Sequence, residues 1–389
     1  MAPEFATVAQ LGVFDRIRRW LDRLLASHRF RLWAARFPLT RPIARRRARA
    51  LFDLMAGFVY SQVLLACVRL RVFEILAEGP QTLAALAPRL DLSPESSARL
   101  LDAAVALRLL RLRGEQRYAL GPLGAALVGN QALLSMIEHH AMVYADLRDP
   151  VALLRQGQGQ GELARFWPYA AAAQADASNA PEVGRYSALM SASQPLVADE
   201  ILDAYPFAQR RCLLDVGGGE GTFLITVAQR APALSLQLFD LPPVAERAQA
   251  RFAAAGLAPR ASAFGGSFLS DPLPSGADVV SLVRVLHDHD DAAVMAILRA
   301  IRRIMPAHGE LVIAEPMAGT PGAEAMGDAY FGFYLLAMGR GRARTPERLG
   351  QLLAAAGFDS GRLVATHLPI QTRLLVARPR PLEKGRNAV

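Results

Sequence analysis

Apolar residues recur at three- and four-residue spacing through the first half of the chain, a periodicity that predicts helices. In the segment DRIRRWLDRLL, apolar side chains share one helical face and arginines occupy the other. The apolar positions are Ile17, Trp20, Leu21, Leu24 and Leu25. The following FPLTRP interrupts the helical pattern, because Pro38 and Pro42 each restrict the residue before them. We therefore expect residues 1–50 to form a basic amphipathic extension.

Residues 51–195 are predicted to form a compact helical domain. SQVLLACVRLRVFEILAEGP is expected to be one helix that ends at Gly79–Pro80, and TLAALAPRL to be a short one. Ser93 is a favourable N-cap for the next helix, with Pro94 at its first position. LRLRGEQRYALG then predicts two short strands around a glycine turn. Three helices followed by a hairpin are typical of a winged helix.

The winged-helix pattern leaves DNA binding and subunit packing as alternatives. The helix that would enter a DNA groove is mostly apolar, and it carries Arg99 and Arg108 against Glu95 and Asp102. A groove-reading helix needs polar and basic residues that face the bases. We therefore favour a dimerisation and packing role for this domain and expect no nucleic acid partner.

From about residue 196 the pattern changes to alternating strands and helices. Helices separate five predicted strands, RCLLDVG, LSLQLFDLP, ASAFGGSF, ADVVSLVRVLH and GELVIAEP. Two later strands, RLVATHL and TRLLVARP, are joined by a short loop. This order predicts a doubly wound, Rossmann-like α/β domain over residues 196–389, with a parallel sheet and a terminal hairpin.

The composition limits the classes of protein that the chain can form. A hydrophobic content of 52% and a charged content of 20% allow large buried cores and argue against disorder. Cys67 and Cys212 are too few for a disulfide framework, which favours a reducing, cytoplasmic setting. The seven histidines and two cysteines show no metal-ligand spacing, so we expect no metal.

The net charge of +9 suits nucleic acid, an anionic membrane surface or an anionic substrate. Five arginines lie between Arg41 and Arg49. The longest apolar stretch, from Leu54 to Val68, is shorter than the roughly 20 residues that cross a bilayer. We expect a buried amphipathic helix there, and no secretory signal before it.

The run LLDVGGGEGTFLITVA predicts a strand, a glycine cluster and a helix, an arrangement that brings a ligand close to the backbone. From Gly217 to Gly221 the spacing is G-x-G-x-G, one residue shorter than the dinucleotide fingerprint G-x-G-x-x-G. Glu220, inside the loop, is expected to repel a pyrophosphate. Both features disfavour a nicotinamide-dependent oxidoreductase.

Two further acids bear on the identity of the ligand. Asp215 precedes the glycines at the end of the strand, and Asp240 ends the next strand, 19 residues after Gly221. A strand-terminal carboxylate accepts hydrogen bonds from ribose hydroxyls. A ribose without phosphate beside an acidic loop favours S-adenosylmethionine over a nicotinamide dinucleotide. A tight turn that binds no ligand is the alternative.

The sequence VLHDHDD places His287 at the carboxyl end of the fourth strand, where open α/β sheets bind ligands. An imidazole there can take the proton of an acceptor as its methyl group arrives. Glu315, which ends the fifth strand, can hold the imidazole in one tautomer. The alternative is a strand-end histidine satisfied by a local hydrogen bond.

DVGGGEG, FDLP, GGSF, LHDHDD, AEP and RTPERLGQLLAAAGF follow one another after the winged-helix pattern. In this order they resemble the S-adenosylmethionine-dependent O-methyltransferases, which include plant caffeate and flavonoid enzymes and bacterial small-molecule methyltransferases. The resemblance covers about residues 55–377. It implies a hydrophobic small-molecule acceptor and a homodimer formed by the N-terminal domain, which also closes over the partner's active site.

The resemblance also assigns roles to single residues. It implies that His287 is the base and that Glu315 orients its ring. The implied donor-binding residues are Asp215, Gly217, Gly219, Asp240, Leu241, Ser267, Phe268 and Arg284. The implied acceptor-binding residues are Tyr186, Met190 and Asp288.

Three positions depart from the family pattern. His289 stands where the family commonly has a Trp against the adenine of the donor. Ser267 stands where an acid often contacts the adenine amine, and Ala343 where a second carboxylate flanks the base in plant enzymes. These departures weaken the case for a base mechanism of the phenol type.

The N-terminal block from Leu25 to Arg71 resembles a narrower group, the hydroxyneurosporene or demethylspheroidene O-methyltransferases of purple photosynthetic bacteria. This resemblance implies methylation of the tertiary 1-hydroxyl of acyclic carotenoids in spheroidene/spirilloxanthin-type biosynthesis. Because carotenoids partition into membranes, we expect a cytoplasmic protein with peripheral contact to the anionic inner or photosynthetic membrane.

The sequence leaves three alternatives to carotenoid methylation open. The first is a methyltransferase of the same family that acts on a polyketide, quinone or bacteriochlorophyll intermediate. The second is a winged-helix DNA-binding regulator with a ligand-sensing domain. The third is the nicotinamide-dependent oxidoreductase that the glycine spacing disfavours.

Replacing His287 with alanine is predicted to lower turnover while leaving donor binding intact, because the imidazole acts on the acceptor and the glycine loop holds the donor. Single-turnover assays and donor titrations of the variant measure the two effects separately. Unchanged turnover would remove the base hypothesis.

Overall fold

The computed structural model describes residues 13–157, 161–166, 194–195 and 197–381. Contacts divide the chain into two compact units, Met1–Ala125 and Ala126–Val389. The domain boundaries expected after residues 50 and 195 stay a prediction. The boundary expected after residue 50 falls inside a continuous helix, Arg41–Arg69.

The first unit is helical with one small hairpin. The hairpin pairs β1 with β2 antiparallel, from Leu110 opposite Leu120 to Arg113 opposite Arg117. Ser93 caps α6 through a hydrogen bond from the Ser96 N–H, with Pro94 at the first position, as predicted. The elements are α1 (Val13–Ala26), α2 (His28–Arg36), α3 (Arg41–Arg69), α4 (Val72–Ala77), α5 (Leu83–Arg89), α6 (Pro94–Ala106), β1 (Leu110–Arg113), β2 (Arg117–Leu120) and α7 (Pro122–Ala125).

The helix predicted to end at Gly79–Pro80 is in fact two helices, so that prediction was wrong. Arg71 adopts a left-handed conformation with φ of 55°, and this residue separates α3 from α4. The amide of Arg71 instead closes a turn on the Val68 carbonyl. A helical periodicity cannot reveal such a break, because the apolar spacing continues on both sides of it.

Helix α3 is 29 residues long and crosses residue 50 without interruption. Among the described residues, it is the helix long and apolar enough to cross a membrane by length and composition alone. Its last turns are buried at Leu65, Cys67 and Val68, whereas Leu54 is 81% exposed. The expected burial of this apolar stretch therefore holds only at its carboxyl end within the single chain.

The charges of the candidate recognition helix α6 are paired within the unit. Arg99 donates to Glu95 at 3.0 Å, one helical turn away. Asp102 accepts a 2.7 Å hydrogen bond from the Tyr118 hydroxyl of the hairpin. These contacts favour packing rather than groove recognition.

The second unit contains a seven-stranded sheet with the order β5-β4-β3-β6-β7-β9-β8. The first five strands in that order are parallel, and β8 and β9 form the antiparallel pair at the edge. The strands are β3 (Cys212–Val216), β4 (Ser235–Asp240), β5 (Ala261–Gly265), β6 (Val279–Val283), β7 (Glu310–Glu315), β8 (Arg362–Val364) and β9 (Arg373–Ala377). All seven predicted strands are confirmed.

Helices cover both faces of this sheet, so its central strands are buried on both sides. Leu214 and Val216 face one cluster of apolar residues, while Leu213 faces the other. The helices of the unit include α8 (Gln131–Asp146), α9 (Pro150–Gln156), α10 (Glu162–Phe166), α11 (Thr222–Arg230), α12 (Pro242–Ala254), α13 (Asp291–Ile304), α14 (Phe331–Met338) and α15 (Pro346–Ala355). A short π-helix, Ala325–Tyr330, leads into α14.

The two ends of the sheet differ in their use of charge. At the amino end of β7, the buried Glu310 accepts a 2.6 Å hydrogen bond from Tyr205 and pairs with Arg210 and Arg378. At the carboxyl ends, β3 has β4 on one side and β6 on the other, so the strand order reverses there. Open α/β sheets bind ligands at such a reversal, and the candidate site lies at this edge.

Candidate active site

The glycine loop joins β3 to α11 in a backbone conformation that side chains disfavour. The φ angles of Gly217, Gly219 and Gly221 are 71°, 59° and 77°. At Gly218, a Cβ atom would lie 2.6 Å from an Asp215 carboxylate oxygen, a contact closer than atoms allow. Nothing lies within 4 Å of a Cβ placed on Gly219, so the loop leaves an open cradle there.

Asp215 contributes a buried carboxylate to this cradle. Its Oδ1 accepts a 2.6 Å hydrogen bond from the Ser281 hydroxyl, while its Oδ2 has no hydrogen-bond partner. Burial raises the pKa of Asp215 to about 7, with Asp240 also raising it. A buried, unpartnered carboxylate oxygen beside open glycine backbone fits a cationic group such as an ammonium or a sulfonium.

Asp240 ties the two loops of the donor side together. Its carboxylate accepts backbone hydrogen bonds from Gly219 at 2.8 Å and from Leu241 at 2.7 Å. Burial raises the pKa of Asp240 to about 6, although both backbone bonds oppose that rise. Each oxygen accepts one bond and keeps acceptor capacity for ribose hydroxyls.

Phe268 and His289 lie together on the side where the resemblance places an adenine. Their rings meet edge to face with centroids 5.3 Å apart. Phe268 also approaches the glycine loop, since a Cβ on Gly217 would lie 3.7 Å from its ring. Ser267 begins this loop with its N–H donated to Asp271 at 2.8 Å. The structure thus brings the donor residues expected from distant parts of the sequence to one edge.

Glu220 does not repel a pyrophosphate as the sequence predicted. This side chain does not present a free charge to the loop, because it pairs with Arg247 at 3.0 Å and Arg251 at 3.4 Å on α12. Two arginines offset the repulsion that we expected it to exert on a pyrophosphate. The preference for a donor without a pyrophosphate therefore depends on the glycine spacing and on Asp215.

His287 lies in a single 3₁₀ turn, Leu286–Asp288, that follows β6. Its Nδ1 is 2.5 Å from Glu315 Oε2, and the ring is buried. The other oxygen of Glu315 accepts the N–H groups of Val285 at 2.9 Å and Leu286 at 2.7 Å. The carboxylate therefore fixes both the ring and the turn that carries it, which leaves Nε2 to act as the base.

Asp288 lies beside the basic nitrogen of His287, with Oδ1 3.1 Å from Nε2. Burial lowers the pKa of His287, but the Asp288 and Glu315 carboxylates outweigh burial and raise it above the usual value. Burial also raises the pKa of Asp288 itself, to about 6. The backbone N–H of Arg284 donates a 2.8 Å hydrogen bond to the Ala314 carbonyl. The positive charge of Arg284 lowers the pKa of both His287 and Asp288 and so opposes the two increases.

Arg344 supports the base turn, and sequence analysis missed it. Its buried guanidinium donates to the carbonyls of Leu286 and His289, each at 2.7 Å, on either side of the base. It also donates to Asp291 at 2.8 Å. The motif RARTPERL drew attention only to Ala343, the neighbouring residue, because no local pattern marks an arginine that bonds main-chain carbonyls 55 to 58 positions away.

Two histidine–tyrosine pairs border the base on the acceptor side. Both histidines lie on α8. Nε2 of His139 is 2.8 Å from the Tyr334 hydroxyl, and Nε2 of His140 is 2.8 Å from the Tyr330 hydroxyl. Phe331 packs edge to face on the His287 ring, with centroids 5.7 Å apart. The sequence shows the histidine pair and the aromatic run of α14, but their meeting depends on residues about 190 positions apart.

The acceptor residues Tyr186 and Met190 lie outside the described residues. Within the described part of the chain, no group of three or more metal-ligating side chains is close enough to hold a metal ion.

Replacing Asp288 with asparagine is predicted to move the acid limb of the kcat/KM–pH profile to lower pH. The base acts when deprotonated, so activity is lost as pH falls through the raised pKa of His287, and removing the Asp288 charge lowers that pKa. Initial rates measured from pH 5 to pH 9 test this shift. Asp22→Asn, an exposed control on α1, should leave the profile in place; an unmoved limb in Asp288→Asn contradicts the assignment.

Replacing Arg344 with methionine is predicted to lower kcat by about 100-fold while the donor Kd stays constant, because the base moves but the glycine loop does not. Arg342→Met changes an exposed neighbour and is the matched control. Arg344→Lys, which keeps one charged donor, should recover part of the lost rate. A lower Tm with normal kcat would assign Arg344 a structural role only.

Comparisons with known proteins agree with this arrangement. Residues 52–130 match a family model described as the O-methyltransferase dimerisation domain, and residues 144–359 match the O-methyltransferase domain. The dimerisation domain supports a homodimer.

Similar proteins cover most of the chain. A demethylspheroidene O-methyltransferase of Cereibacter sphaeroides is 47% identical over 87% of this chain and 88% of its own length. A protein of the same name from Rhodobacter capsulatus is 43% identical over 92% of this chain and 89% of its own. The crystal structure of human N-acetylserotonin methyltransferase in complex with SAM superposes on this chain with a TM-score of 0.70. The match covers 86% of this chain and 98% of the human one, with 25% sequence identity. The chain therefore belongs to the O-methyltransferase family and is an O-methyltransferase.

Proposed function

We propose that the chain transfers the methyl group of S-adenosylmethionine to the tertiary 1-hydroxyl of acyclic carotenoids such as 1-hydroxyneurosporene and demethylspheroidene. This reaction belongs to spheroidene/spirilloxanthin-type carotenoid biosynthesis. The observation that carries the proposal is the 47% identity with a demethylspheroidene O-methyltransferase over 87% of the chain. The geometry of the candidate site provides the chemistry that such a transfer requires.

S-adenosylmethionine supplies an electrophilic methyl group on a sulfonium. The unpartnered oxygen of Asp215 gives the cationic end of this donor a buried counter-charge. Asp240 retains acceptor capacity for the ribose, and Phe268 offers an aromatic edge near Gly217. The residues present therefore fit the donor, since each matches one of its chemical groups.

His287 receives the proton that the acceptor loses. As the new carbon–oxygen bond forms and the methyl–sulfur bond breaks, the hydroxyl proton passes to Nε2, and Glu315 stabilises the resulting imidazolium. A tertiary alcohol is far less acidic than a phenol, so proton loss accompanies or follows methyl transfer rather than preceding it. Alignment of the reacting atoms then supplies most of the acceleration, a contribution of roughly 7–11 kcal/mol in well-oriented systems.

One wall beside the base is formed by aromatic side chains, as a hydrophobic acceptor requires. The rings of Tyr330 and Tyr334 stack with centroids 5.8 Å apart. Burial raises the pKa of Tyr330 to about 12 and lowers the pKa of His139 to about 4, so both are neutral near pH 7. A polyene can lie against these neutral rings.

The test uses purified protein, S-adenosylmethionine with a labelled methyl group, and 1-hydroxylated acyclic carotenoid dispersed in detergent. We expect label in the carotenoid fraction, identified by chromatography and mass. The His287→Ala protein should label the carotenoid much more slowly, whereas the protein with His308→Ala, a change at an exposed histidine, should label it normally.

Tight donor binding with an unlabelled carotenoid would overturn the acceptor and retain the methyltransferase. Phenolic polyketide, quinone and bacteriochlorophyll intermediates would then be assayed with the same labelled donor. Labelling of one of those compounds would identify the acceptor class.

A further inference from the structure

The segment from residue 13 to residue 50 precedes both matched family domains, which begin at residues 52 and 144. It holds twelve arginines and two aspartates, a net charge of +10. The whole chain carries +9, so the remaining residues together carry about −1. The excess positive charge of the protein is therefore confined to this segment.

Helix α1 separates apolar and charged residues onto opposite faces. One face carries aromatic and aliphatic side chains at helical spacing, and these are exposed: Phe14, Ile17, Trp20, Leu21 and Leu25. Phe14 is 81% exposed and Trp20 is 61% exposed. The opposite face carries Arg16, Arg19 and Arg23, and Arg18 lies at the border of the apolar face. An exposed aromatic face beside an arginine face is typical of helices that lie in a membrane interface.

Helices α2 and α3 extend this combination of exposed aromatic side chains and arginines. The rings of Phe30, Trp33 and Phe37 form a row on α2, with successive centroids 5.6 Å and 4.9 Å apart, and Trp33 remains half exposed. The first turns of α3 add the five arginines between Arg41 and Arg49. Helix α2 contacts both α1 and α3, so the three elements form one continuous surface.

We propose that residues 13–50 form a membrane-docking surface, which binds anionic phospholipid headgroups through its arginines and inserts the apolar face of α1 at the headgroup boundary. This inference goes beyond the proposed function, because it concerns lipid binding and holds whatever the acceptor is. If the acceptor is a carotenoid, the surface also brings the enzyme to the phase in which its substrate dissolves.

Charge and polarity favour a lipid surface over two other partners, a nucleic acid and a second copy of the chain. A nucleic acid would contact the arginines but would leave Phe14 and Trp20 exposed to water. A second copy would bring two segments of net charge +10 against one another, which repels. The exposed apolar residues farther along α3, such as Leu54 and Phe58, lie within the matched dimerisation domain, the part of the chain that we expect to pack against a second subunit.

The test measures binding of the full-length protein to sedimented vesicles of phosphatidylcholine with 30% phosphatidylglycerol, and to vesicles of phosphatidylcholine alone. We expect binding to the anionic vesicles only, weakening as NaCl rises. Arg45→Gln with Arg46→Gln should lower the partition coefficient by about 25-fold, at about fivefold per arginine. Trp20→Glu should lower it as well, whereas Ile370→Glu, an exposed apolar control in the second unit, should not.

Three outcomes would overturn the proposal. The first is equal binding of both vesicle types, or none. The second is a loss of the dimer in Trp20→Glu, measured by light scattering, with vesicle binding unchanged, which would assign the face to a second copy. The third is tighter binding to duplex DNA than to anionic vesicles. Methylation in detergent is measured separately, so failure of the docking proposal and failure of the carotenoid proposal are distinguishable.

Discussion

The geometry of the site depends on the hydrogen bonds that the Glu315 carboxylate accepts. It accepts hydrogen bonds from two main-chain N–H groups and from the His287 ring, and so joins the end of β7 to the turn after β6. A buried carboxylate without these donors would be expensive to keep ionised. The same bonds that satisfy Glu315 therefore orient the base, and Arg344 holds the turn from its carbonyl side.

Each of four parallel strands brings a buried or mostly buried acid to the same edge of the sheet. Asp215, Asp240 and Glu315 lie at the ends of β3, β4 and β7, and Asp288 follows β6. Burial raises the pKa of Asp215, Asp240 and Asp288 to about 7, 6 and 6, so each is harder to ionise than a carboxyl group in water. A cationic donor offsets that cost, which explains physically why an acidic edge suits a sulfonium and not a pyrophosphate.

The two halves of the protein use charge for different purposes. The acids of the candidate site are few, mostly buried and gathered at one edge of the sheet, whereas the arginines of residues 13–50 are many and exposed. A buried charge acts over a few ångströms on one ligand group, while a dense exposed patch acts on a surface. This division accounts for a basic isoelectric point in an enzyme whose candidate site is acidic.

The sequence by itself determined the strands, the glycine loop, the hairpin and the pairing of His287 with Glu315. Periodicity and turn chemistry act over a few residues, and parallel strands deliver their last residues to one edge, so these features follow from local pattern and topology. Only the tertiary structure decided the break at Arg71, the pairing of Glu220 with two arginines, the Arg344 contacts and the histidine–tyrosine pairs. Apart from the Arg71 break, which continuing apolar spacing hides, these contacts join residues 27 to about 195 positions apart, and no local periodicity encodes which distant side chain meets which.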